Sequence, residues 1–150
     1  MRRLRFAALP VLAAAGVGAL GARRAAAIYD DLDTPGWAPP ASAFGPVWSV
    51  LYVMIGAAGW RLTDRGPARA KALHVAQLAL NGAWPVTFFE LRDKRASLIV
   101  IVLLDLMLAA EVATVRKEDR LTARLLAPYL MWTIFATALN ASVRDPRRIR

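Results

Sequence analysis

The sequence predicts an all-α integral membrane bundle of five transmembrane helices, with a long loop between helices 1 and 2. Three observations carry that prediction. The chain is 57% hydrophobic with a mean hydropathy of +0.39, too apolar for a soluble globule of 150 residues. Its charges gather in short clusters between apolar runs, where soluble amphipathic helices would spread them along one face. Five of these runs are about 17–20 residues long, close to the ~20 that cross ~30 Å of hydrocarbon at 1.5 Å per residue. Residues 1–150 are expected to form a single domain.

In chain order, the first span is expected at 6–22, between Arg2, Arg3, Arg5 and Arg23, Arg24. Two readings fit it: a retained helix, or a cleavable secretory signal ending in Ala25-Ala26-Ala27. The second span, 43–60, is closed by Arg61, and the third, 72–89, lies between Lys71 and Glu90. The fourth, 96–115, precedes Arg116 and Lys117, and the fifth, 125–143, precedes Arg144. The links 63–71, 90–95 and 116–124 are short, so consecutive helices should run antiparallel and pack side by side. The exception is 23–42, which holds Pro35, Gly36, Pro39 and Pro40 and reads as a lid or a linker. It also carries Tyr29 and Trp37, bulky groups that a passive linker does not need.

The charge pattern bears on partners. A net charge of +9 suits nucleic acid only if the cations form one continuous face or tail. Here they sit at span ends, so the lipid bilayer and its anionic headgroups are the expected partner and nucleic acid is not. The localisation that follows is an integral, multi-pass membrane protein. Basic residues divide eleven to nine between the two sets of helix ends, a balance that sets no orientation. With no cysteine, disulfides, thiol catalysis and Cys-based metal sites are excluded.

Inside the spans, His74, Gln77, Asn81, Trp84 and Phe88 follow spacings of 3, 4, 3 and 4 and share one helical face. Facing lipid they would lack partners, so the face should point inward. There it serves either as interhelical glue or as the wall of a ligand cavity. Phe44, Trp48 and Tyr52 share a face of the second span, and Tyr129, Trp132, Ala136 and Asn140 one of the fifth. Trp84 and Trp132 lie too deep for an interfacial belt, and such rings suit a flat polycyclic ligand. Asp105, in mid-span, must be protonated, paired or bonded inward, as a proton relay or a structural group. Six positions on, Glu111 points elsewhere, so the two form no catalytic pair. Phosphate loops, serine elbows and metal-ligand spacings are missing, and His74 is the single histidine, so the residues themselves indicate no enzyme.

Three blocks carry a family resemblance. They are Tyr29-Asp30-Asp31-Leu32 with Pro35-Gly36-Trp37-Ala38-Pro39-Pro40 and Phe44-Gly45-Pro46-Val47-Trp48-Ser49-Val50-Leu51-Tyr52; Gln77-Leu78-Ala79-Leu80-Asn81-Gly82-Ala83-Trp84; and Pro128-Tyr129-Leu130-Met131-Trp132, continuing through Phe135-Ala136-Thr137-Ala138-Leu139-Asn140. Together they resemble the translocator protein / tryptophan-rich sensory protein family. The resemblance implies a retained first helix, a homodimer and a cavity beneath the long loop. It implies ligands that are tetrapyrroles, protoporphyrin IX or haem, or sterol-like small molecules, with no required cofactor. Trp48 and Asn81 match the pair that bonds a ligand carbonyl, Tyr29 and Trp37 the loop aromatics, and Trp132, Ala136 and Leu139 the fifth-helix wall. With Tyr52, Trp84, Phe88 and Phe135 these make up the expected ligand-binding set.

The departures have consequences. Ile28 stands where relatives often have Trp, and Ala41, Ser42 and Ala43 where an aromatic often follows the prolines, which implies a thinner loop wall. Pro85 falls one place early, which implies a displaced kink, and no sterol motif follows the fifth span. The function expected is a membrane receptor or carrier for tetrapyrroles, in stress or tetrapyrrole regulation. The alternatives are light-dependent porphyrin degradation, resting on family analogy alone, and a helix-bundle scaffold without a ligand.

Overall fold

A computed structural model describes residues 2–144 of the chain. Six α-helices occur among the described residues: α1 (Arg2–Gly21), α2 (Ala25–Asp30), α3 (Phe44–Arg65), α4 (Ala68–Pro85), α5 (Lys94–Val115) and α6 (Arg120–Ser142). A 3-10 turn (Ala41–Ala43) leads into α3, and a π turn (Val86–Glu90) follows α4. Five helices are long; the sixth, α2, lies inside the 23–42 segment expected to be plain loop. Its run of alanines, among the best helix formers, accounts for the extra turn.

Helix ends move outward from the expected boundaries because charged residues continue a helix past the hydrocarbon. Helix α3 runs on through Arg61, Asp64 and Arg65. Its link to α4 shrinks to Gly66 and Pro67, and proline before the first helical residue costs no hydrogen bond. Helix α6 begins at Arg120 because Asp119 caps it, accepting from Leu121 N at 3.1 Å and Thr122 N at 3.3 Å. Asp93 caps α5 in the same way, accepting from Ala96 N at 2.9 Å.

Among the described residues four helices are long and apolar enough to cross a membrane: α1, α3, α5 and α6. Helix α4 falls short by composition, which corrects the equal status given to the third run. Its low hydropathy has a cause: His74, Gln77 and Asn81 are buried inside the bundle. Conversely, large apolar side chains point outward, among them Val53, Ile99 and Met131. That inversion suits lipid as the surrounding solvent.

The long helices close into a ring in the order α3, α1, α4, α5, α6 and back to α3. Helices α3 and α4, joined by two residues, therefore touch only sparsely, against the expectation that consecutive helices pack side by side. Helix α1 lies between them because one of its faces is small: Ala7, Val11, Ala14, Gly18 and Gly21, at spacings of 4, 3, 4 and 3, are all buried. A Cβ on Gly82 of α4 would come 3.3 Å from Ala14 Cα, and one on Gly21 would come 2.7 Å from Val86 N. Leu51, Ile55, Leu78, Ile101, Leu104, Leu108 and Leu126 fill the middle of the ring.

Candidate functional site

The site starts from the inward face of α4. Asn81 Oδ1 accepts from the Tyr52 hydroxyl of α3 at 2.9 Å, and its Nδ2 donates to Tyr129 Oη of α6 at 2.9 Å. The Tyr129 hydroxyl in turn donates to Gln77 Oε1 at 3.0 Å. Each hydroxyl gives its one proton once, so the chain runs in a single sense and fixes the Asn81 amide. Three helices are tied together here by neutral hydrogen bonds, the economical kind inside a membrane. Asn81 keeps one N–H and one lone pair beyond these bonds.

Above this amide opens a cavity of about 430 Å³, within the range of small-molecule sites. It lies at the end of the bundle where α1, α4 and α6 finish and α3 begins. Tyr52 and Asn81 form its floor, and Trp48, Trp84 and Phe88 stand in its walls with Ala136 and Leu139 of α6. Trp84 stacks on Phe88 with centroids 5.3 Å apart. The π turn after Pro85 presents Phe88 and Phe89 together; its widened bond runs from Leu91 N to Val86 O at 3.0 Å. Such turns interrupt helices often at functional sites.

The 23–42 segment roofs the cavity. Tyr29 and the α2 alanines Ala25 and Ala26 line it from above. The Tyr29 hydroxyl donates to Pro39 O at 2.9 Å, and burial raises its pKa, so it remains a donor at physiological pH. Asp33 and Arg144 exchange two backbone bonds of 3.0 Å, pinning the roof to the end of α6. Lys94 secures that same end, its Nζ reaching Ala141 O at 2.9 Å and Val143 O at 2.7 Å.

Of the expected ligand-binding set, Tyr29, Trp48, Tyr52, Asn81, Trp84, Phe88, Ala136 and Leu139 come together around the cavity. Trp37, Trp132 and Phe135, expected in the same set, are not among the residues that line it. Phe44 lines the cavity and has Trp132 packed against it at 5.8 Å; Phe135 follows Trp132 at 5.3 Å. Trp37, 51% exposed, covers Phe135 at 5.7 Å. These three rings buttress the wall from behind. Ala41 lines the cavity as a small residue.

Sequence reasoning missed the α1 wall, Ala15, Gly18, Ala19 and Ala22. The only signal was their small size at helical spacing. Asn140, also in the lining, is buried with its Nδ2 donating to Ser97 Oγ at 3.3 Å. Asp105 lies outside the site: its Oδ2 is 2.6 Å from Thr137 Oγ1, which is also 3.0 Å from Thr133 O. That hydroxyl has one proton for its two acceptors.

Residues 6–145 match the model of the TspO/MBR family. The chain is 34% identical to the tryptophan-rich protein TspO of Archaeoglobus fulgidus, over 77% of this chain and 76% of that protein. It is 38% identical to the human translocator protein, over 77% of this chain and 72% of that one. It is 34% identical to protein CrtK of Rhodobacter capsulatus, over 93% and 91% of the two chains.

Proposed function

This chain belongs to the TspO/MBR family of integral, multi-pass membrane proteins, and from that premise we propose that it is a membrane receptor or carrier for tetrapyrroles such as protoporphyrin IX or haem. The single observation that carries the reading is the roofed cavity of about 430 Å³ with aromatic walls and one amide at its floor. A flat macrocycle gains by stacking on Trp48 and Trp84, while the remaining Asn81 N–H orients a polar edge. Ligand propionates would reach the headgroup region near Arg23 and Arg24, at the hinge between α1 and α2. A bundle acting only as a scaffold has no use for such a space.

The reading includes α4, with the turn that follows it, as a fifth membrane span whose polar face is hidden within the ring. The homodimer that the resemblance implies belongs to the same proposal, and a mass measurement in detergent decides it. Sterol-like molecules fit the same apolar walls and serve as competitors in the binding test.

The test is a titration of purified protein with protoporphyrin IX, following Trp fluorescence. Saturable quenching that disappears in Gly18→Leu, a substitution that fills the cavity, is the expected result. Absence of saturation, or quenching unchanged in that variant, overturns the reading.

A further inference from the structure

Below the cavity floor the polar face of α4 continues to His74, seven residues or about 10 Å along the helix from Asn81. His74 Nδ1 lies 2.8 Å from Glu111 Oε1 of α5, with both side chains 0% exposed. Phe6 of α1 stacks on the imidazole with centroids 6.0 Å apart, and Gly59 of α3 makes room, since a Cβ there would stand 2.9 Å from Nε2. His74 Nε2, Glu111 Oε2 and Gln77 Nε2 are all buried without a hydrogen-bond partner.

The titratable surroundings are few. Tyr129 of α6 lies within electrostatic reach of Glu111 and Asp105. On the pair's own helices stand Lys71, whose Nζ donates to Thr63 O at 3.0 Å, and Asp105, bonded to Thr137. Helices α1 and α3 contribute the uncharged Phe6 and Gly59, while their charged residues nearby pair elsewhere, Arg3 with Asp64 at 2.9 Å and Arg61 with Asp119 at 2.9 Å.

A tie between helices needs only two amides, and ionisable groups within a membrane are costly to bury. A bridge that leaves a polar atom of each partner unused is also a poor structural bridge. What distinguishes this pair from two amides is an exchangeable proton. With one proton in the 2.8 Å contact and His74 Nε2 bare, the pair carries a net −1. A second proton makes it neutral, and the unpartnered His74 Nε2 and Glu111 Oε2 are the atoms placed to receive it.

We propose that His74 and Glu111 form an intramembrane proton-binding site that takes up a proton when an anionic ligand occupies the cavity. The proton comes from bulk water and forms a new N–H or O–H bond on the pair. One ligand charge held near Asn81, about 10 Å away at an effective dielectric of about 20, strengthens that proton's binding roughly tenfold. The Tyr52–Asn81–Tyr129–Gln77 chain lies between the two sites. By linkage, the same ligand binds more tightly as pH falls. The trigger rests on the tetrapyrrole reading; the proton site itself does not.

The test uses the full chain in detergent, weakly buffered near neutral pH, with an indicator dye reporting protons and Trp quenching reporting binding. Protoporphyrin IX is compared with zinc octaethylporphyrin, which has no carboxylates. We expect proton uptake with the first and none with the second. The uptake should vanish in Glu111→Gln and in the double variant His74→Gln/Glu111→Gln, which keeps a hydrogen-bonding pair, while binding persists. No uptake in the unaltered protein, or equal uptake in the double variant, overturns the proposal. Failure of both porphyrins to bind removes the tetrapyrrole reading and with it the trigger, and infrared spectroscopy then decides the site alone. In an Asp105→Asn background, a carboxyl band that responds to pH and disappears with Glu111→Gln supports it, and a band indifferent to pH overturns it.

Discussion

The two ends of the bundle use the same small residues to opposite effect. Toward the end where the chain begins, small meets small: Ala7 approaches Gly59, with a would-be Cβ contact of 3.3 Å. The helices close there around the His74–Glu111 pair and a small apolar cluster of Leu62, Ala70, Val115 and Ala123. At the other end the α1 residues Ala15, Gly18, Ala19 and Ala22 face Trp48, Trp84 and Phe88 across about 430 Å³ of space. Large rings held apart by the hydrogen bonds of Tyr52, Asn81 and Tyr129 cannot collapse onto an alanine face. The opposing surface decides whether a small residue closes a bundle or opens a cavity.

Exchanging small residues for large ones should separate the ends. The largest effect is expected at the open end, where Gly18→Leu projects into the cavity. A Cβ at Gly18 would make only ordinary contacts of 3.7 Å, with Pro85 and the Tyr52 hydroxyl. Porphyrin affinity should fall by at least about 100-fold, roughly 2.8 kcal/mol, with little change in thermal stability. The measurement is a pair of curves, binding and melting; a large loss of stability with binding intact would erase the distinction.

At the closed end, Gly59→Leu meets His74 at once. The cost of overpacking, about 1–3 kcal/mol, should appear in thermal unfolding in detergent, while the folded fraction keeps its ligand affinity. Equal sensitivity of binding at both ends would mean that they are not independent.

A third variant concerns the ion pair that fastens the closed end. Arg61 donates to Asp119 through Nε at 3.0 Å and through its terminal nitrogen at 2.9 Å. That hydrogen bonding holds the Asp119 carboxyl well below the usual carboxylate range. A pKa depressed by folding contributes stability that is complete above the unfolded value of about 4 and is lost as pH falls through the folded one. Asp119→Asn should therefore lower the melting temperature near neutral pH, with the difference shrinking in strong acid. The cap it also weakens sets the scale at about 1 kcal/mol, because the pair is partly exposed. A difference independent of pH would assign the effect to the cap alone.

The smallest effect belongs to the roof. Tyr29→Phe removes the bond to Pro39 O but keeps the ring that packs on Phe44 with centroids 5.2 Å apart. Losing one partly exposed hydrogen bond, about 1 kcal/mol, should speed ligand release several-fold without altering the melting curve. Stopped-flow displacement would show it, and an unchanged release rate would mean that the roof opens elsewhere.

Much of this was legible in the residues. Four membrane-length helices follow from run length against membrane thickness, and the inward face of α4 follows from amides that cannot face lipid. Trp48, Tyr52, Asn81 and Trp84 were legible because polar and aromatic groups at spacings of 3 and 4 share a face. The roles of Trp37, Trp132 and Phe135 were not, since one helix's periodicity says nothing of a ring, Phe44, standing in front of them. The α1 wall was also hidden, because Ala and Gly give the same pattern whether they touch a neighbour or border a void.

Residue order alone is enough to show that the chain lives in lipid and which side chains must turn from it, because the solvent punishes each unpaired polar group locally. Packing in three dimensions set the order of helices around the ring, the lodging of α1 between α3 and α4, and the meeting of His74 with Glu111. Those outcomes depend on how surfaces distant in sequence fit, and small residues permit close approach without specifying the partner.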